Sequence, residues 1–433
     1  MKLRRYLYVF IVSLSCIGVC WTQQAAPAPK TVVIRAGRLL DVKTGRFLLQ
    51  QEIVIEGDKI KAVRPYDLSP SGEQFIDLTN ATVLPGLIDA HTHITMTTNF
   101  GYSRLGISVP REALNGARNA RVTLEAGFTT IRNVGASGFT DVALRDAINA
   151  GDVPGPRMLV SGPALSITGG HCDNNLLPFE SHVQSAGVAD GVEAVQHKTR
   201  EIIKYGADLI KICATGGVLS LTDDVDTPQL TQEELNAIVE EAHALRRKTA
   251  AHAHGAEGAK RAIRAGIDSI EHGTFLDDEA LDMMKQRGTY LVPTLMAVQG
   301  LQEQLDKGIY LPPAIALKAH MAIAQIRLTF EKALAKGINI GLGTDAAVYP
   351  HGRNPEEFHQ MVDLGMKPID ALKAGTSADA ELLGIADRVG TLEVNKLADV
   401  VAVPGNPVEN IRQTERVFFV MKEGVIYKNE RAK

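Results

Sequence analysis

From Thr31 to Leu84 apolar and polar residues alternate in short runs: TVVIRAGRLLD, then QEIVIEGDKIKAV, then FIDLTNATVLPG. A period of two marks strands with one buried face, and Gly57-Asp58 inside the second run predicts a tight hairpin turn. The far end of the chain reads the same way, as LADVVAVPGNP followed by VFFVMKEGVIYKN. Residues 31–86 and 387–433 are therefore expected to form one small β-sandwich built from both chain ends. Between them, over residues 87–386, the period changes. TLEAGFTTIRNVG, AVQHKTREIIKYGADLIKICATGG, TQEELNAIVEEAHALRRKTAAHAHG, EGAKRAIRAGIDSIEHG, DDEALDMMKQRGTYLVPTL and RLTFEKALAKGINIGLGTDA each read as a helix, a stop and a strand, most with Gly as the stop. Repeated βα units argue for a parallel sheet. Roughly eight units in about 300 residues suit an α/β fold of the (β/α)8 TIM-like barrel type. A doubly wound open sheet is the alternative, but no Gly-rich phosphate fingerprint follows the first strand.

The first 26 residues fall outside this pattern. MKLRR is a basic start, YLYVFIVSLSCIGVCW an apolar run too short for a comfortable membrane span, and TQQAAPAPK a small polar exit. They read as a secretory signal, which predicts an exported protein, periplasmic or secreted, with no stable membrane span after processing. A lipid anchor at Cys16 or Cys20 fits poorly, because Val19 precedes Cys20 and Cys16 comes early. Composition changes the picture only by exclusion. With 45% apolar residues, 22% charged and a net charge of −4, the chain is an ordinary globular one. It has no basic stretch to serve as a nucleic-acid footprint, so small molecules or peptides are the expected partners. Outside the signal only Cys172 and Cys213 remain of the four cysteines. One disulfide between them is possible, but two buried thiols is the favoured reading.

The candidate chemistry lies at the predicted strand ends. LPGLIDAHTHI places His91 and His93 two apart on a strand, so both point to the same side, and two converging neutral imidazoles are half of a metal site. Alone, such a pair is more often two ordinary histidines. Lys211 sits inside the apolar strand DLIKICA, where an unmodified, unpaired lysine is costly. His252 and His254 lie in AAHAHG, His272 in SIEHGT and Asp345 in GLGTDA. In a barrel of this kind all strand C-termini open on one mouth.

PGLIDAHTH, Lys211, His252, His272 and GTDA together resemble the amidohydrolase superfamily of the binuclear-metal type. The likeness runs over nearly the whole chain, including the late GTLEVNKLADVV run. Asn395 replaces the usual Gly in that run, and Asn also tolerates a left-handed turn. The resemblance implies that Lys211 is carbamylated by CO2 and bridges two divalent metal ions, zinc being the first choice. His91, His93 and Asp345 would hold one metal and His252 and His272 the other. A bridging hydroxide would attack the scissile carbonyl, with Asp345 as general base and then acid. Three local signatures, TGGHCD, ATGGVLS and GTDAAVYPHGRN, resemble the prolidase-like branch: Xaa-Pro dipeptidases, Xaa-Arg/Lys dipeptidases and ochratoxin-cleaving enzymes. That branch implies cleavage of the amide before a C-terminal amino acid, in dipeptides or N-acyl amino acids. A cyclic-amide or lactone hydrolase of the imidazolonepropionase type is the alternative. His171 would hold the carbonyl oxygen or the substrate carboxylate, and the Gly216 and Gly217 amides could add donors. His254, Tyr102, Tyr349 and His351 are further candidate substrate contacts, while Arg353 is expected to position its loop. Relatives commonly assemble, so a homo-oligomer, up to an octamer, is also expected.

Overall fold

Hydrophobic alternation at the two chain ends is realised as one sheet. A computed structural model of the protein describes residues 31–66, 75–99 and 101–430; the expected signal at 1–26 lies outside them. The first four strands are β1 (Thr31–Asp41), β2 (Arg46–Glu56), β3 (Lys59–Pro65) and β4 (Phe75–Pro85). Glu56 pairs with Lys59 across the predicted Gly57-Asp58 turn, with Gly57 at φ 64°. The parallel strands are β5 (Leu87–Thr92), β6 (Phe128–Asn133), β7 (Arg157–Val160), β8 (Leu209–Cys213), β9 (Lys248–Gly255), β10 (Ser269–Phe275) and β11 (Tyr290–Val292). The chain closes with β12 (Val400–Pro404), β13 (Phe419–Lys422) and β14 (Val425–Asn429).

The terminal strands form a seven-stranded sheet in the order β14-β13-β12-β4-β1-β2-β3. A two-layer sandwich was expected here, and the difference lies in β4. It pairs with β1 from Phe75 to Val83 on one edge and with β12 from Ala81 to Pro85 on the other, so one long strand splices the two chain ends into a single sheet. Ile34, Ile53, Ile55, Val83, Val400, Phe419 and Met421 pack into one buried cluster drawn from both halves.

The middle of the chain is mixed α/β, as its pattern predicts. β5, β6 and β7 form a parallel sheet of three strands, and β8 to β11 a parallel sheet of four. Only single bridges join them: Leu165 with Ile212, Leu291 with Ile340, and Thr92 with Ala346. The ladders thus stop short of a continuous closed barrel at two seams. At one seam Pro163 offers no N–H for a ladder. At the other, Gly341 and Gly343 let irregular backbone run against its neighbours; a Cβ on Gly343 would lie 2.7 Å from the Cβ of His91.

Local signals hold where they were strongest. Thr231 caps the helix Gln232–Ala244 in a reciprocal box with Glu234. Gly151, Gly266, Gly288 and Gly337 end their helices in the left-handed conformation. Asn395 takes φ 71°, the left-handed turn expected of it. One element exceeds expectation. After β11 the chain forms a helix at Leu295–Asp306 and then a 24-residue helix, Pro313–Lys336, of which only the last turns were read from the sequence. Among the described residues no helix is long and apolar enough to cross a membrane.

Candidate functional site

The strand C-termini open into one cavity of about 580 Å³, lined by His91, His93, His171, Lys211, His252, His254, His272 and Asp345. Residues from six separate stretches of chain therefore meet, as their places at strand ends predicted. Donor atoms fall into two groups, each within 4.8 Å: His252, His254 and His272, and His91, His272 and Asp345. His93 Nε2 lies 3.3 Å from Asp345 Oδ1. His254, read from sequence as a substrate contact, thus stands among the possible ligands.

Most of these imidazoles already have one nitrogen engaged. His91 Nδ1 meets Glu271 Oε2 at 2.7 Å, and His93 Nδ1 the Gly135 carbonyl at 3.3 Å. His254 Nδ1 bonds Thr274 Oγ1 and His272 Nδ1 bonds Thr294 Oγ1, each at 2.7 Å. His252 uses Nε2, which donates to the Gly216 carbonyl at 3.1 Å. This fixes each ring and leaves its other nitrogen for a ligand, the pattern of metal-binding histidines. His91 Nε2 is buried with no hydrogen-bond partner among the described residues. Burial holds His93 at about 3 and His254 at about 3, and drives His252 and His272 well below the ordinary histidine range. All four are neutral at physiological pH, the form that ligates. These observations fit divalent metal ions. Thr294→Val should loosen His272 and weaken metal binding by about 10–100-fold, read by competition with a chelator.

Lys211 on β8 is 3% exposed. Burial pushes its amine down to about 8, and no carboxylate lies within ion-pair distance of it among the described residues. Asp345 is buried too, but His91 and His93 hold its carboxyl below the usual value against that burial. His272 and Asp345 both carry positive φ, 70° and 54°. Non-glycine residues adopt such angles only where their surroundings impose them, most often at functional sites.

Several contacts read from sequence stand elsewhere. Tyr102 is 70% exposed, pointing away while its neighbours Gly101 and Arg104 line the cavity. Tyr349 is buried against Gly300 and lies outside the lining, as does half-buried His351. The loop turns back at this point, so Ala347 and Val348 face the cavity instead. The Gly216 amide donates to Thr227 O and the Gly217 amide to Asp223 Oδ2, so neither is free for an oxyanion. Gly217 matters differently: a Cβ there would sit 2.1 Å from the His171 ring. Gly217→Ala should therefore displace His171 and lower kcat/KM at least about tenfold, with thermal stability as the control for folding. Arg353 positions its loop as expected, bound to Glu303 and Glu356. Cys172 and Cys213 are joined by a disulfide rather than held as two thiols. They meet because Leu165 bridges to β8 and carries the following loop across the strand end. Mutating both cysteines to serine should cost about 2–4 kcal/mol of stability, measured by denaturant unfolding.

Sequence reasoning missed the polar layer beneath the site. Glu271 is fully buried; burial works against its charge, but Arg132 and His91 hold its carboxyl down to about 2. Arg132 also reaches Ser269 Oγ at 3.1 Å. Asp89 accepts from Thr344 and Asn354 and so braces the strand of His91 against the Asp345 loop. The signal was available: Arg132 and Glu271, like Lys211, are charges inside apolar strands.

The family model described as amidohydrolase matches residues 82–428. Ochratoxinase of Aspergillus niger is 34% identical over 427 residues, spanning 92% of this chain and 87% of its own. Among solved structures, a Xaa-Pro dipeptidase with methionine bound in its active site superposes with a TM-score of 0.88 at 42% identity, covering 92% of this chain and 100% of that one. A prolidase complexed with N-methylphosphonate-L-proline gives 0.85 at 31% identity, over 93% and 100%.

Proposed function

The chain belongs to the amidohydrolase family, and from that premise we propose that it cleaves the amide bond before the C-terminal residue of dipeptides or N-acyl amino acids. One observation carries this reading: neutral imidazoles, each fixed through one nitrogen, converge on a buried lysine and a buried aspartate. His91, His93, His252, His272, Asp345 and a carbamylated Lys211 would hold two divalent ions, zinc first, with His254 near enough to join them. When bound, the ions supply positive charge that polarises the scissile carbonyl and makes water acidic enough to attack at neutral pH.

The chain's own groups do the rest. Because burial lowers the amine of Lys211, a larger share of it is neutral and can add CO2; a C–N bond forms and one proton leaves. The resulting anion replaces a cation that the apolar strand does not otherwise accommodate. Asp345 is ionised and faces His91 and His93. Its carboxylate takes the proton of the attacking water and delivers it to the leaving nitrogen, so that water and amide become a carboxylate and an amine. Leu219, Leu301, Ile315, Ile326 and Val348 give the cavity an apolar wall and suit an apolar side chain. The methionine, proline analogue and toxin in the names of the relatives are compatible with such a wall. The same reading takes the two parallel sheets and the 340–346 segment as one eight-stranded barrel. The disulfide suits an exported protein.

The test is amino-acid release. Zinc-loaded protein is incubated with dipeptides, N-acyl amino acids and ochratoxin A, and products are followed by mass spectrometry. Release is expected to favour apolar C-terminal residues over charged ones by about 10–100-fold in kcat/KM. Ring-opening of cyclic amides with no free amine produced would replace this reading with the imidazolonepropionase type.

A further inference from the structure

Behind His171 lies a set of groups that the proposed chemistry leaves unexplained. The Lys318 side chain, on the inner face of the helix Pro313–Lys336, is 8% exposed. Its Nζ donates to the carbonyls of Gly217 at 2.7 Å, Ser220 at 2.6 Å and Asp223 at 3.0 Å, and lies 3.2 Å from Asp223 Oδ1. A buried ammonium is stable only when its donors are satisfied. Here they are satisfied by one loop, whose residues Val218 to Leu221 line the cavity.

Asp223 is the centre of that loop. Its side chain is 6% exposed. Oδ2 accepts from the Gly217 amide at 3.3 Å and from Gln229 Nε2 at 3.1 Å. Gln229 Oε1 in turn accepts the backbone N–H of His171 at 2.9 Å. Oδ1 is in short contact with Ser220 Oγ, and Ser220 Oγ lies 3.0 Å from His171 Nδ1. Asp223 thus grips His171 twice, by its backbone through Gln229 and by its ring through Ser220. The ring itself stacks on His252, centroids 4.2 Å apart.

Proton counting along this chain has one solution. Ser220 has a single hydroxyl proton and three neighbours, Asp223 Oδ1, the Gly217 carbonyl and His171 Nδ1. A carboxylate and a carbonyl only accept. The serine proton goes to the charged acceptor, so the bond to His171 requires the proton to be on Nδ1. His171 Nε2, on a ring that lines the cavity, is then a bare acceptor. We infer that Asp223, clamped by Lys318, is a positioning residue that acts through Ser220 to fix His171 with Nδ1 protonated, so that His171 meets the substrate as an acceptor of an N–H or O–H. This reverses the donor role toward a carbonyl oxygen or carboxylate that sequence alone suggested.

The experiment is nitrogen-15 NMR of histidine-labelled, zinc-loaded full-length protein, with His171→Gln identifying the resonance. The wild type should show His171 protonated at Nδ1. Asp223→Asn should shift that signature towards the other tautomer, and Ser220→Ala, which keeps the Lys318 pair intact, should do the same if Asp223→Asn does not fold. A wild-type ring protonated at Nε2, or a signature that neither variant moves, overturns the inference. Activity gives a second readout, which rests on the amide-hydrolase reading. Ser220→Ala should lower kcat/KM about 10–100-fold, and Ser220→Thr, which retains the hydroxyl, should recover most of it. Equal losses in the two variants would overturn the inference. If even the wild type releases no amino acid, the hydrolase reading falls, and the NMR signature still decides the tautomer.

Discussion

Lys211→Ala is expected to abolish amide hydrolysis, lowering kcat/KM by about 10,000-fold or more, because on the proposed reading it removes the carbamate that would help to hold both metal ions. The lysine is sealed into β8, two residues before the disulfide-bonded Cys213, and lines the same cavity as both histidine clusters. Burial lowers its amine and Arg132 adds to that, against the opposite pull of Glu271 and Asp345. A simple structural lysine would tolerate replacement with a modest change in stability. A carbamate bridge would not, and its loss would also reduce the number of metal ions held per chain. Metal content by mass spectrometry and kcat/KM should therefore fall together, while the melting temperature of the metal-free form stays close to wild type. Full activity with two metals retained would remove Lys211 from the site.

Arg132→Met should destabilise the metal-free protein by about 3–5 kcal/mol, read by denaturant unfolding. Arg132 is 1% exposed and Glu271 fully buried, and they meet at 2.7 Å. Removing the guanidinium leaves a carboxylate in the protein interior with His91 and Ser269 as its remaining partners. The double variant Arg132→Met with Glu271→Gln should lose less stability than the two single changes together, since no lone charge remains. His91 would still lose the charged acceptor that orients its ring, so metal affinity should stay low in the double variant even where stability returns. Additive losses across the cycle would show that the two side chains act independently.

The legible parts of this molecule were those with local causes. Alternation at the chain ends, the Gly57-Asp58 turn, the Thr231 cap and the glycine helix stops are set by residues a few positions apart, and each appears as expected. The metal-type residues were legible for another reason: strand ends of repeated βα units must share one mouth, so residues far apart in sequence could be assigned to it. What escaped depends on pairing across long distances. That β4 takes β1 on one edge and β12 on the other follows from no local pattern. Neither does the seating of Lys318 against a loop about a hundred residues earlier. Tyr102, Tyr349 and His351 lie off the cavity lining, because a motif gives neighbourhood but not the direction of a side chain, and a single turn decides which neighbour faces the cavity. Arg132 and Glu271 were readable in principle, since the argument that singled out Lys211 applies equally to them.

The double pairing of β4 has a bearing on how the chain is made. Ala81–Pro85 waits for its partner β12, which lies about 300 residues further along. At about 5–20 residues per second, the ribosome takes roughly 15–60 s to supply it. For that interval the growing chain carries an unpaired, mostly apolar strand edge, able to join the same edge of a neighbouring nascent chain. Chains interrupted before Val400 would keep the edge permanently and are the ones expected to aggregate.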